Sequence, residues 1–277
     1  MPKKIAYLGP PGTFSEEAVL AYDASAQGVP CPSVAAAIAT VEAGKADEAM
    51  APIENSIEGS VTDTLDLMIH VTKLKIRMEL VLPVTQCLMA ARNMPLDEIK
   101  VVYSHPQPLA QCRRFLEAKL PQAQAVASLS TVQAVADMKA HKGSPAAAIA
   151  PRRAAQLYGA TLLAEGIQDH AHNVTRFVVL AREDHAPTGD DKTSIAFSFA
   201  EDKPKQIYLA VKEFADRGIN LSKIESRPAK EGLGKYFFLL DFDRHRLDPV
   251  AVDALANLRR LAQMLIVFGS YPRYRAR

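Results

Sequence analysis

The chain has 277 residues, room for two domains, and its 48% hydrophobic and 23% charged content is that of a protein with packed cores. A formal net charge of +2 is too small to argue for a nucleic-acid partner or an anionic membrane surface. No apolar segment approaches the ~20 residues of a membrane span. Three widely spaced cysteines, Cys31, Cys87 and Cys112, lack metal-ligand spacing and suit reduced thiols in the cytoplasm.

In chain order, residues 5–8 predict a first strand, cut short by Gly9-Pro10-Pro11-Gly12, so this start is not a signal peptide. Helices are expected over 15–22, 62–70, 107–120, 131–139 and 152–158, and strands over 49–53, 101–103, 125–126 and 146–150. Residues 80–90 read as extended, a candidate crossover between two lobes. Val178-Val179-Leu180 reads as a buried strand. This alternation predicts mainly parallel sheets with helices on both faces. The polar stretch 184–191 reads as a linker. Beyond it a strand (193–199), a helix (205–216) ending at Gly218, strands (221–227 and 236–243), a helix (249–261) and a strand (264–268) spell β-α-β-β-α-β, a ferredoxin-like module. Arg273, Arg275 and Arg277 read as a solvated tail. The expected architecture is α/β: a first domain over 1–183, a linker over 184–191 and the ferredoxin-like module over 192–277.

Three strand-to-helix junctions share one form, a hydroxyl followed three residues later by Glu or Gln: Thr13 with Glu16, Ser104 with Gln107, Ser130 with Gln133. Each reads as a capping box. One box is ordinary. Three, each after a strand, place free N–H groups and positive partial charge where open α/β sheets gather anionic ligands. No Gly-Lys-Ser/Thr follows Gly12, so the first turn is not a P-loop. Glu54-Asn55-Ser56 presents an acid, an amide and a hydroxyl after a strand, with a plain turn as the alternative reading. Gln111 shares a helical face with Gln107. Asn173-Val174-Thr175-Arg176-Phe177 sets an amide, a hydroxyl and a guanidinium before an apolar run, a seat for a small anionic ligand. His170 and His172 have too few neighbouring ligands for a metal and read as loop histidines. No Ser-His-Asp constellation or nucleotide fingerprint can be assembled.

With these segments in place, the chain resembles the prephenate dehydratases over nearly its whole length. The resemblance is carried by Gly9 to Ser15, Pro52 to Val61, Ser104-His105-Pro106-Gln107-Pro108 with Gln111, Ser130-Thr131 and Asn173 to Phe177, in that order. The C-terminal module resembles an ACT regulatory domain, with Glu225-Ser226-Arg227-Pro228 similar to its effector-site motif. The resemblance implies a catalytic domain of two lobes like those of periplasmic binding proteins, with the active site in the cleft. Since the first strand begins at Ile5, it also implies a monofunctional chain without a chorismate mutase domain.

The implied reaction turns prephenate into phenylpyruvate, carbon dioxide and water in phenylalanine synthesis. Aromatisation drives it, so the chemistry requires no cofactor or metal. The helix starts at Thr13, Ser104 and Ser130-Thr131 suit carboxylates. Only interactions that strengthen in the transition state accelerate the step, so the departing ring carboxylate is expected in a dry place. The side-chain carboxylate then takes the helix starts and Arg176, with Ser56 and Asn173 among the substrate contacts. The resemblance makes Thr175 the residue that assists departure of the hydroxyl, by a hydrogen bond or by relaying a proton from Glu54 or water. Asn55 and Gln111 then orient the ring. Feedback inhibition by phenylalanine is implied too, but Lys205 stands where the family's turn has glycine, which argues against effector binding here. A homodimer or homotetramer follows from the exposed sheet edge of such a module. Arogenate as substrate, or a sensor that binds a small anion without catalysis, are the rival readings.

Overall fold

The structure is a computed structural model that describes residues 2–143, 145–230 and 235–275. Two compact units divide the chain. One holds the described residues up to Val61 together with Val81–Phe177, the other Thr62–Leu80 together with the described residues from Val178 on.

In chain order the elements are β1 (Lys4–Leu8), α1 (Phe14–Tyr22), β2 (Gln27–Cys31), α2 (Val34–Glu42), β3 (Glu48–Asn55), β4 (Gly59–Ser60), α3 (Thr62–His70) and β5 (Lys75–Pro83). There follow β6 (Cys87–Ala90), β7 (Val101–Ser104), α4 (Pro106–Gln111), α5 (Arg113–Lys119), β8 (Gln124–Ala127), α6 (Thr131–Ala140), β9 (Ala146–Ala150), α7 (Arg152–Tyr158), β10 (Thr161–Glu165) and β11 (Val174–Ala181). The last third is β12 (Asp191–Ser198), α8 (Gln206–Ala215), β13 (Leu221–Pro228), β14 (Tyr236–Asp243), α9 (Pro249–Leu261) and β15 (Met264–Pro272).

Two α/β sheets are present, as expected of two lobes. The first has strand order β2-β1-β3-β11-β5 with β4 paired to β3, and β1 runs parallel to both β2 and β3. The second has order β10-β6-β9-β7-β8. It is mixed rather than mainly parallel: β7 is parallel to β8 and β9, while β6 is antiparallel to both β9 and β10. Period-two burial explains its two faces. Cys87, Met89, Val101, Ala146 and Ala148 pack under Val132, Val135 and Met138 of α6. The intervening Leu88, Val102, Ala147 and Ile149 meet Leu109, Cys112 and Leu116 on the opposite face.

Local chemistry sets the helix starts. Thr13, Ser33 and Ser130 are N-caps whose side chains accept from Glu16 N, Ala36 N and Gln133 N. Neither expected box at Thr13 or Ser130 closes on itself, because Glu16 turns to Gly12 N (2.9 Å) and Gln133 to Asp137 (2.8 Å). The third box is corrected outright. Ser104 ends β7, fully buried, and donates to Ile149 O at 2.7 Å, so the cap of α4 falls to His105. The helix expected over 107–120 is two pieces broken at Cys112. Asp169 N donates to Gln111 O at 2.6 Å, and the Asp169 carboxylate accepts from Arg114 N at 3.1 Å, so Asp169 competes for the groups a continuous helix would use.

The C-terminal module is βαββαβ with sheet order β13-β14-β12-β15, all antiparallel where paired. Ile195, Phe197, Phe214, Leu240, Phe242 and Leu258 form its core. Gly269 (φ +150) sits in β15 hard against the Ile76 backbone, within the same compact unit. The expected arginine tail is not free. Arg273 pairs with Asp243 (2.7 Å) and Arg275 with Asp190 (2.6 Å), while Arg277 lies outside the described residues.

Candidate active site

A cavity of about 810 Å³ opens in the first unit. Its polar lining includes Thr13, Asn55, Gln86, Gln111, Ser130, Thr131 and Thr175. Pro52, Val61, Val84 and Phe177 supply an apolar stretch. Among the described lining residues none is Asp, Glu, Lys or Arg.

Strand alternation sorts the polar motifs. On β11, Thr175 and Phe177 line the cavity, while the intervening Arg176 places Nη1 3.3 Å from Glu54 Oε2. On β3, Asn55 lines the cavity and Glu54 does not. Ser56, Ser104 and Asn173 are also outside the lining. Ser56 Oγ donates to His172 O (3.3 Å) and accepts from Val174 N (3.0 Å), so it ties the β3 turn to the start of β11. The structure thus gathers Thr13, Asn55, Gln111, Ser130, Thr131 and Thr175 at one cavity and leaves Glu54, Ser56, Ser104, Asn173 and Arg176 outside its lining.

Asn55 organises the floor. Its Oδ1 accepts from Ile57 N (3.0 Å) and Glu58 N (3.1 Å), which fixes the amide's orientation. Its Nδ2 then faces three acceptors: Asn173 Oδ1 at 2.8 Å, Val174 O at 3.1 Å and Thr175 Oγ1 at 3.0 Å. Because Thr175 Oγ1 accepts from Asn55, its own proton is left to donate elsewhere. Asn173 Nδ2 donates to Gln111 Oε1 (3.2 Å), and Gln111 Nε2 donates to Glu58 Oε1 (3.2 Å).

The first turn is clamped. Glu16 accepts from Gly12 N and from Arg153 Nε (3.2 Å), and Tyr158 Oη donates to Pro11 O (2.8 Å). Burial pushes the Tyr7 phenol up, and the nearby Glu16 carboxylate adds to that. Gly12 has φ +96, and a Cβ there would meet Tyr158 and Ala154 within 3.3 Å, so glycine is required.

Sequence reasoning missed Gln86, Cys31, Val84 and Leu129 in the lining. For Gln86 a signal existed: one amide inside the otherwise apolar run 86–90.

In the second unit, a hollow of about 270 Å³ is lined by residues including Phe199, Lys203, Lys205, Lys235, Tyr236 and Phe238. Lys205 caps α8 with φ +73, the left-handed conformation a glycine adopts at little cost. Glu225, Ser226, Arg227 and Pro228 do not line this hollow. Arg227 is buried and donates to Asp66 Oδ1 (2.7 Å) and Thr62 O (3.3 Å). Burial pushes Asp66 up, but hydrogen bonds from Lys230 and Arg227 outweigh it and hold its carboxyl below the usual range.

Comparison with known proteins gives this geometry its context. Residues 5–185 match the family model described as prephenate dehydratase. The chain is 41% identical over 271 residues to the bifunctional chorismate mutase/prephenate dehydratase of Aquifex aeolicus, covering 98% of this chain and 74% of that one. It is 39% identical to the chloroplastic arogenate dehydratase/prephenate dehydratase 1 of Arabidopsis thaliana, covering 97% and 72%. The crystal structure of prephenate dehydratase from Arthrobacter aurescens in complex with L-Phe superposes with a TM-score of 0.89 at 40% identity, covering 98% of this chain and 90% of that one. The chain belongs to the prephenate dehydratase family, carbon–oxygen lyases of phenylalanine biosynthesis.

Proposed function

We propose that the 810 Å³ cavity binds prephenate and that Thr175 donates the hydrogen bond that lets its hydroxyl leave. The observation that carries this reading is the Asn55 contact at 3.0 Å, which occupies a lone pair of Thr175 Oγ1 and frees its proton for the cavity. The ring carboxylate departs as carbon dioxide, and its bonding pair enters the ring. The C–O pair leaves with the hydroxyl oxygen, which takes up one proton and becomes water. Prephenate dianion and one proton therefore yield phenylpyruvate, carbon dioxide and water.

A lining with no lysine or arginine among the described residues suits this chemistry. The carboxylate that must lose its charge gains nothing from a strong ion pair, since that contact would weaken in the transition state. We assign it to the apolar stretch of Pro52, Val61, Val84 and Phe177. The side-chain carboxylate is assigned to the capped starts of α1 and α6, at Thr13, Ser130 and Thr131, where N–H groups and the helix dipole favour an anion. Gln111 orients the ring. Glu54 and Arg176 act as a pair that ties β3 to β11.

Among the described lining residues none is a carboxylate that would meet an ammonium group, which favours the keto acid over arogenate. The ratio of kcat/KM for the two substrates tests this, with prephenate expected to lead at least tenfold. For the main reading, Thr175→Ala is expected to lower kcat at least tenfold with an unchanged circular dichroism spectrum. An unchanged kcat overturns the assignment.

The catalytic part is assigned to 1–183 and regulation to the ferredoxin-like module. L-phenylalanine is assigned to the hollow beside Lys205, whose backbone keeps the conformation of a glycine turn. Titration calorimetry with phenylalanine tests this, and absence of heat refutes it. The edge strand β13 of the four-stranded sheet, exposed at alternate residues, favours a homodimer or homotetramer, measurable by light scattering. Three buried free thiols suit a cytoplasmic protein.

A further inference from the structure

Gln86 is 1% exposed and lines the cavity, yet its side-chain carbonyl Oε1 has no hydrogen-bond partner among the described residues. A buried polar atom in this state is costly, and native proteins leave few of them. The orientation is not arbitrary. Asn55 Oδ1 is fixed by two backbone N–H groups, so Asn55 Nδ2 faces Asn173 Oδ1. Asn173 Nδ2 must then face Gln111 Oε1, and Gln111 Nε2 faces Glu58. Gln86 Nε2 donates to that same Gln111 Oε1 at 3.4 Å. Turning the Gln86 amide over would set two carbonyl oxygens against each other. The backbone of Gln86 is held as well: its N–H donates to Gln168 Oε1 (3.0 Å), and its carbonyl accepts from Gly166 N (3.0 Å) and Ile167 N (3.2 Å). The network therefore leaves one acceptor over, on a residue of the cavity wall.

An acceptor calls for a donor on the ligand. Prephenate at neutral pH carries two carboxylates and a ketone, all acceptors, and one donor, its ring hydroxyl. We infer that Gln86 is a further substrate-contacting residue, whose Oε1 accepts the hydrogen of the ring hydroxyl while Thr175 donates to the same oxygen. This rests on the reading of the cavity as the prephenate site. The oxygen has almost no water-accessible surface, so the side chain yields slightly when substrate enters. The contact also favours the reaction. As the oxygen gains its second proton and becomes water, it becomes a stronger donor, so the bond to Oε1 tightens toward the transition state.

The test compares Gln86→Met, which keeps length and removes both amide groups, with Gln86→Glu, which keeps an acceptor and loses the N–H donor to Gln111. Expected for Gln86→Met is a kcat for prephenate at least tenfold lower, with the binding of phenylpyruvate, which lacks the hydroxyl, changed less than twofold. Its urea midpoint should not fall, because an orphan carbonyl has been removed. Once protonated, the Gln86→Glu carboxyl can donate to Gln111 Oε1 and keep a carbonyl acceptor, so it should recover a substantial part of the lost kcat as the pH is lowered. A lowered urea midpoint with equally weakened phenylpyruvate binding would mean that Gln86 only braces the wall, and would overturn the inference. So would a greater loss on arogenate than on prephenate, which would assign the acceptor to the substrate amine. If the parent protein itself releases no phenylpyruvate from prephenate, the reading of the cavity fails, and the Gln86 variants are not what decides it.

Discussion

Asn55→Asp is an isosteric change with a large predicted effect. The Oδ1 side keeps its backbone donors, Ile57 N and Glu58 N. The Nδ2 side becomes a carboxylate oxygen facing Asn173 Oδ1, Val174 O and Thr175 Oγ1, the three acceptors it now serves at 2.8, 3.1 and 3.0 Å. The two carbonyl oxygens lose a buried donor, at a stability cost of about 1–3 kcal/mol. Thr175 responds differently, because a hydroxyl can reverse its role. It donates to the new carboxylate, and the proton it offered to the cavity is gone. Losing a positioned donor is worth roughly 10²–10⁴ in rate, or about 2.7–5.4 kcal/mol at 1.36 kcal/mol per tenfold. Initial rates of phenylpyruvate formation, read by its absorbance in alkali, give kcat, and a urea titration gives stability. The causal claim is that Asn55 acts through Thr175. In a cycle with Thr175→Val, the double variant should therefore be no slower than about the worse single variant. A kcat within threefold of the parent, or single-variant effects that multiply in the double, would refute the reasoning.

Three other outcomes are expected. Gly269→Ala places a methyl against the Ile76 carbonyl oxygen and 2.8 Å from Ile76 N at φ +150, so the unfolding free energy from a urea titration should fall by about 3 kcal/mol or more; an unchanged value would mean β15 can shift. Lys205→Gly relieves a left-handed residue at φ +73 and should raise thermal stability by about 1 kcal/mol while tightening phenylalanine binding; weaker binding would show that the lysine side chain holds the effector. Burial pushes the Cys87 thiol up to about 11 and Cys112 up to about 12, with Glu165 and Asp169 respectively adding to it. Both values lie above the ordinary ~8.5, so the fold favours the neutral thiol. That contribution is fully present below about pH 8.5 and is lost as pH rises through 11 to 12. Alkylation of the native protein at pH 8 should accordingly spare both thiols, and rapid labelling would contradict the burial.

Much of the fold was legible along the chain. The helix over Thr62–His70, the strand over Ala146–Ala150 and the βαββαβ order of the last third carry strong local signals and form as expected. The pair β2 and α2 went unread: β2 has glycine and proline within five residues, and α2 is alanine-rich, though Ser33 caps it and Val34, Ala37, Ile38 and Val41 are buried at helical spacing. The break at Cys112 was hidden because its cause, Asp169, lies far along the chain. Nothing local marked Thr62–Leu80 as belonging with the C-terminal part. At the site, the motifs named the right segments. They could not say which members face the cavity, and Ser104, a hydroxyl before a helix by sequence, turns inward to Ile149.

Local sequence was enough for most of the elements, the module order, the helix caps at Thr13 and Ser130 and the family, because periodicity, capping and turn chemistry act over a few residues. Tertiary structure alone decided that Asn55 meets Asn173 across 118 residues of chain, that Arg176 turns to Glu54 and that Gln86 keeps an unanswered carbonyl. Strand register and sheet packing place those atoms, and both depend on contacts between segments that local sequence does not encode.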